Sequence, residues 1–302
     1  MTRRRLAALL ALAALALMVL AVSLAPPASV WDVFVQDRPA PVMGDPVSIP
    51  DEPLARLAIA GDTGTGDAAQ RATASVMAAQ GREHRFDALV LLGDLIYEDG
   101  DARLTRSVVI EPFQDLIDRG AELIPVLGNH DYDSGEQLDI IRRLGRQQPW
   151  YVEWVGPLRV VVLDSNRVED DAQTEWLRST LADPMPRGTW TVAALHHPPY
   201  SAGYHGSEMT VRRAWSDIFA QADVPLVLAG HDHDYQRSTP QDSVTYVVSG
   251  AGAKLRSTGE DDFTEVSVSI LHFLDLLVDE RRLVGRAIDQ SGRLVDEFTI
   301  ER

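Results

Sequence analysis

Five short apolar runs in this 302-residue chain end in the same way, and that repetition constrains the fold more than any other feature. Leu57-Ala58-Ile59-Ala60 leads into Gly61-Asp62. Leu89-Val90-Leu91-Leu92 leads into Gly93-Asp94. Ile124-Pro125-Val126-Leu127 leads into Gly128-Asn129-His130-Asp131. Val192-Ala193-Ala194-Leu195 leads into His196-His197. Pro225-Leu226-Val227-Leu228-Ala229 leads into Gly230-His231-Asp232-His233. A short apolar run bounded by small or polar residues reads as a strand covered on both faces. In open α/β sheets, ligands bind beyond the carboxyl ends of such strands. Five strand ends thus aim Asp, Asn and His side chains at one place, which reads as a metal site.

Helix-like segments separate these runs. Residues 67–80 are Ala-rich and stop at Gly81; 103–119 has roughly helical apolar spacing and stops at Gly120; 136–144, 172–181 and 210–222 follow the same pattern. A further strand over 158–163 runs into Asp164. Strand–helix alternation predicts a layered α/β fold. From Val244 the chain turns β-rich, over 244–249, 266–277, 283–288 and 294–300, and this predicts an antiparallel ending within the same domain.

Composition narrows the chemistry. With no cysteine, thiolate sites and disulfides are excluded, so any metal is held by N and O donors, which suits Fe, Mn, Zn or Mg. The formal charge of -17 disfavours nucleic acid as a partner. A phosphate substrate remains compatible, because a local metal pair outweighs a distant field. Lys254 is the sole lysine, read here as genome base composition. At the start of the chain, Arg3, Arg4 and Arg5 precede an apolar run over 6–24, the pattern of an export signal or an uncleaved membrane anchor. Either puts the rest of the chain outside the cytoplasm. Residues 26–53 carry seven of the 17 prolines and read as a linker. The expected organisation is therefore a signal or anchor over 1–25, a linker over 26–53 and a catalytic domain over 54–302.

A metal pair needs a bridging carboxylate and several terminal donors. Asp62, Asp94, Asn129, His196, His231 and His233 supply them. Tyr97, three residues after Asp94, can fold back onto the same ion. A phenolate there, with an ordinary pKa near 10, calls for a strongly Lewis-acidic ion such as Fe(III). The five blocks, in this order over residues 55–260, resemble the calcineurin-like metallophosphoesterases, and more narrowly the short, tartrate-resistant purple acid phosphatases. Most of the wider superfamily has a histidine two residues after the first Asp. Here that position is Gly64, and Tyr97 stands where the purple acid phosphatases place their tyrosine.

The resemblance implies a β-sandwich with flanking helices and a dinuclear site. It implies that Asp62, Asp94, Tyr97 and His233 bind Fe(III). It further implies that Asp94, Asn129, His196 and His231 bind Fe(II), Zn or Mn, with Asp94 bridging. His196 is preferred to His197 because the family pattern is His-x-Pro. A metal-bridged hydroxide would attack phosphorus in line, with His130 and His205 holding phosphate oxygens and protonating the leaving group. Asp131 would be the partner of His130. The implied activity is hydrolysis of small phosphate monoesters with an acid optimum. A phosphodiesterase on the same site is the alternative, and a binding module with a vestigial site is a third reading.

Overall fold

Alternate residues of the apolar runs go to different cores, and this explains why the runs are continuous rather than alternating. The computed structural model describes residues 52–302. The expected signal or anchor, its apolar run over 6–24 and nearly all of the linker lie outside the described residues. Strand β1 (Ala55–Ala60) turns Leu57 and Ile59 into a central core and Ala58 and Ala60 into an outer one. Strands β2 (Ala88–Leu92) and β3 (Glu122–Val126) run parallel to β1. Strands β4 (Tyr151–Val155), β5 (Leu158–Val162), β6 (Trp190–Ala194), β7 (Leu226–Ala229), β8 (Tyr235–Ser238), β9 (Thr245–Ser249) and β10 (Thr264–Val268) build a second sheet. Strands β11 (His272–Val278), β12 (Arg282–Asp289) and β13 (Leu294–Glu301) complete the first. The orders are β13-β12-β11-β1-β2-β3 and β10-β8-β9-β7-β6-β5-β4.

The two sheets face each other across Leu57, Ile59, Val90, Leu92, Val160, Val192, Leu226, Leu228, Leu274 and Leu276. Helices cover the outer faces. Helix α1 (Ala68–Gln80), capped by the Asp67 carboxylate, packs with the 102–118 segment over the first sheet. Helices α4 (Asp171–Ala182) and α5 (Met209–Gln221) cover the second, burying Trp215 and Phe219. The short helices α2 (Gln114–Asp118) and α3 (Gln137–Arg143) lie between them in sequence. The layered α/β sandwich expected from the sequence is present. Among the described residues, no helix is long and apolar enough to cross a membrane.

Three expectations need correction. The 103–119 helix is broken into a 3₁₀ turn, a π turn over Thr105–Ile110, a second 3₁₀ turn and α2. Pro112, which lacks an N–H, sits in the first turn of the second 3₁₀ piece. The β-rich ending is not antiparallel throughout: β9 runs parallel to β7, while β11, β12 and β13 are antiparallel as expected. The single run expected over 266–277 is two strands in different sheets, split between Val268 and His272.

Candidate metal centre

The parallel strands of both sheets end at the same edge of the sandwich, so the groups that follow them meet. Asp62 and Asp94 follow β1 and β2 of the first sheet. His196 and His231 follow β6 and β7 of the second. Asp62, Asp94 and His231 have left-handed backbones, with φ of 57°, 51° and 72°. Such conformations cost about 1–3 kcal/mol each in non-glycine residues and persist where surrounding structure imposes them. Here the loops are pinned by their own side chains. The His231 N–H donates to Asp62 Oδ2 at 2.8 Å, and the His130 N–H donates to Asp94 Oδ1 at 3.0 Å. Gly128 packs so close that a Cβ would lie 2.2 Å from Asp94 Oδ1.

Two groups of donors result. Asp62, Asp94 and His233 each offer an atom within 4.8 Å of the others, and so do His196, His197 and His231. Tyr97 joins the first group. Its hydroxyl lies 2.8 Å from Asp94 Oδ2, 3.0 Å from Asp62 Oδ1 and 3.2 Å from His233 Nε2. Asn129 joins the second, its Oδ1 lying 3.1 Å from both His196 Nε2 and His231 Nδ1. Asp94 spans the two. While Oδ2 faces Tyr97, Oδ1 lies 3.5 Å from His196 Nε2. The seven residues expected as ligands therefore converge, and Asp94 has the orientation of a bridge. His197 is a further candidate. Its ring centre lies 4.6 Å from that of His231, with the planes tilted by 54°, and its Nδ1 meets Ser165 Oγ at 2.9 Å.

The charges in this pocket are unbalanced. Burial first, and Asp94 second, push the Asp62 carboxyl well above the usual range. Burial and the two carboxylates push the Tyr97 phenol up as well. Among the described residues, the ion-pair partners of Asp62 and Asp94 are the imidazoles of His130, His196 and His233 rather than arginine or lysine. The imidazoles of His196 and His233, with that of His231, are themselves poor cations. Burial drives His196 and His231 well down, and burial with Arg256 and Lys254 takes His233 down to about 4. Neutral imidazoles beside buried carboxylates are the donor set a cation completes. The tautomer of His196 agrees: its Nδ1 lies 2.8 Å from the Leu92 carbonyl, which only accepts, so Nε2 keeps its lone pair for an ion. The residues fit a pair of ions held by N and O donors.

Around this pocket stand the two histidines expected to handle substrate. His205 stacks on His231 at 4.3 Å, and its Nδ1 lies 3.2 Å from Asp232 Oδ1. Asp232 is fully buried and also accepts from the His205 N–H at 2.7 Å and from the Ser201 hydroxyl. His130 Nδ1 donates to the Glu98 carbonyl, which leaves Nε2 facing Asp94 at 4.0 Å. Asp131 does not partner His130. Its two oxygens accept from the N–H groups of Leu95, Ile96 and Gly128, so it clamps the Asp94 and Asn129 loops together. Asp164 likewise accepts from Tyr132 and Asn166, and Asn166 donates to the Leu127 and Gly128 carbonyls. A cleft of about 560 Å³ opens beside His197, between Ser165, Asn166, Arg167 and Glu208. Sequence reading missed Asp232, although its place between two histidines after a buried strand was visible. It also missed Glu98, which nothing in the sequence singles out.

A sandwich of two mixed sheets, with acids from one and imidazoles from the other meeting at the strand ends, is the metallophosphoesterase architecture. The profile of the calcineurin-like phosphoesterases matches residues 55–235, and the chain belongs to that family. It is 35% identical over 160 residues to a probable cyclic nucleotide phosphodiesterase of Rhodococcus erythropolis, covering 49% of this chain and 52% of that one. It is 28% identical over 206 residues to purple acid phosphatase 21 of Arabidopsis thaliana, covering 61% and 45%. Among solved structures, purple acid phosphatase PPD1 from yellow lupin superposes with a TM-score of 0.73 at 20% identity, over 82% of this chain and 54% of that one. The chain spans about half the length of the curated relatives it matches.

Proposed function

We propose that this chain hydrolyses phosphate monoesters, with Asp62, Asp94, Tyr97 and His233 holding a trivalent iron. In this reading Asp94, Asn129, His196 and His231 hold a divalent ion. The observation that carries it is the Tyr97 hydroxyl, which sits among Asp62, Asp94 and His233 in a pocket where position 64 has no room for a side chain. A Cβ on Gly64 would lie 2.2 Å from the Leu95 carbonyl carbon. A phenol takes the place that a histidine at position 64 would otherwise fill. When bound, an ion pair supplies Lewis acidity toward phosphoryl oxygens and lowers the pKa of water.

The remaining work falls to the imidazoles. His205, with Nδ1 turned to Asp232, offers Nε2 to the leaving oxygen as a proton donor. His130, held by the Glu98 carbonyl, offers Nε2 to a phosphoryl oxygen. The cleft beside His197 leaves room for the alcohol portion of the ester. Arg3, Arg4 and Arg5 before the apolar run over 6–24 support an extracytoplasmic location, anchored or released, which fractionation of cells expressing the full chain tests.

A visible spectrum with metal analysis of the purified protein tests the iron reading. A broad band in the visible range that disappears in Tyr97→Phe is expected. A colourless, fully active protein carrying two zinc or manganese ions would remove Tyr97 from the ligand set. The relative from Rhodococcus erythropolis favours a second reading, hydrolysis of a phosphodiester at the same site. Comparing a monoester with a diester of the same aryl alcohol separates the two, and faster cleavage of the diester would overturn the first.

A further inference from the structure

The sole lysine of the chain lies against this site. Lys254 sits in the turn after β9, and its Nζ stands 3.6 Å from the centre of the Tyr97 ring and 3.3 Å from Glu98 Oε1. Tyr97 is the ring whose hydroxyl meets Asp62, Asp94 and His233, so the ammonium stands at the edge of the pocket that those groups line. Lys254 is about 29% exposed in its side chain, between solvent and pocket, whereas Glu98 is 77% exposed. An ion pair with so exposed a partner is worth little and is easily exchanged for a better anion. The ring face holds the ammonium in place at similar strength. Histidines aside, all other basic side chains of this acidic chain are arginines. A lysine differs from them in carrying a compact charge with three rotatable donors, which suits a contact to a single oxygen rather than the two-pronged grip of a guanidinium.

We propose that Lys254 is a substrate-binding residue that leaves Glu98 to grip a non-bridging oxygen of the phosphoester. The proposal rests on the phosphoesterase reading of the site. It adds that the site selects for charge: a monoester dianion gains more from this ammonium than a diester monoanion does. Glu98 acts as the resting partner that holds the ammonium at the rim. No bond to Lys254 forms or breaks; the contact is a charge-assisted hydrogen bond.

Because Lys254 is the only lysine, acetylation by an amine-selective reagent reports on it alone among side chains. In the metal-loaded protein, inorganic phosphate should slow acetylation of the Lys254 peptide several-fold, read by mass spectrometry. Unchanged labelling at saturating phosphate would overturn the proposal. Lys254→Gln should raise KM for an aryl phosphate monoester about tenfold with little change in kcat. It should alter the matching diester far less, and Lys254→Arg should recover part of the loss. An equal effect on both esters, or a fall in kcat alone, would show a structural role instead. If the protein cleaves diesters and no monoester, the function proposed above fails, while phosphate protection of Lys254 still decides this contact by itself.

Discussion

Strand β1 carries a buried charge at each end, and the two ends treat it in opposite ways. At its start, Arg56 donates to both oxygens of Asp275 on β11, at 2.9 Å each, and Arg286 on β12 donates to the same carboxylate. Arg56 also donates to the carbonyl of Gln80 at 3.1 Å and to that of His84. Both guanidiniums there share a carboxylate partner inside the fold. Past its other end, Asp62 meets Asp94, and no arginine or lysine pairs with either among the described residues. One cluster is finished by the chain; the other awaits cations from outside it. A buried charge that the fold neutralises belongs to architecture, whereas one left open marks where chemistry is done.

Substitutions can break or sharpen this contrast. The largest stability effect is expected from Asp275→Ala, which removes the carboxylate that two buried arginines share and should cost about 3–5 kcal/mol in denaturant unfolding. The site donors are all still present in that variant, so any fraction that folds should bind metal. A smaller loss, about 1–3 kcal/mol, is expected for Gly128→Ala, because the new methyl collides with Asp94 and the packed loop must shift. Unlike the first, this variant should also lose metal, as measured by elemental analysis.

At the open cluster the sign should reverse. The raised Asp62 carboxyl keeps in the fold a proton that the unfolded chain gives up, so this group stabilises below the ordinary carboxylate range and loses that contribution as pH rises. In metal-free protein, Asp62→Asn should therefore raise the melting midpoint at neutral pH. The gain should shrink on acidification toward pH 4. With metal bound, the same variant should be less stable than the parent. The smallest effect is expected at Asp232→Asn, which keeps the shape but loosens the hold on His205. A fall in kcat of about tenfold is expected, with metal content and melting midpoint nearly unchanged.

Much of this was readable before any coordinates. The strand ends at Asp62, Asp94, Asn129, His196 and His231 were visible because each is announced by its own apolar run, a local signal. Helix α1 was visible for the same reason, between Asp67 and Gly81. What stayed hidden depends on contacts across the chain. Strand β4 is half-buried at a sheet edge and exposes Trp154, so its pattern is weak. Asp131 looked like a companion of His130 because it follows it, yet its carboxylate faces the Leu95 and Ile96 amides. The left-handed backbones of Asp62, Asp94 and His231 follow from how the two sheets meet, which no single segment encodes. Nothing in the sequence around Lys254 announces its place over the Tyr97 ring, which depends on a contact across the chain.

The position of β1 between β2 and β11 also bears on how the molecule is made. Leu57 lies opposite Leu276, so one neighbour of the strand that leads to Asp62 is synthesised close to the far end of the chain. A ribosome will have released every donor through His233 before that neighbour exists. Until then β1 keeps an open edge, the kind of surface that recruits stray strands. Products that stop shortly after His233 should therefore bear all seven proposed donors and still be inactive and prone to aggregate. Possession of the donors is not possession of the site; the site exists only once the tail of the chain has closed the sheet beneath it.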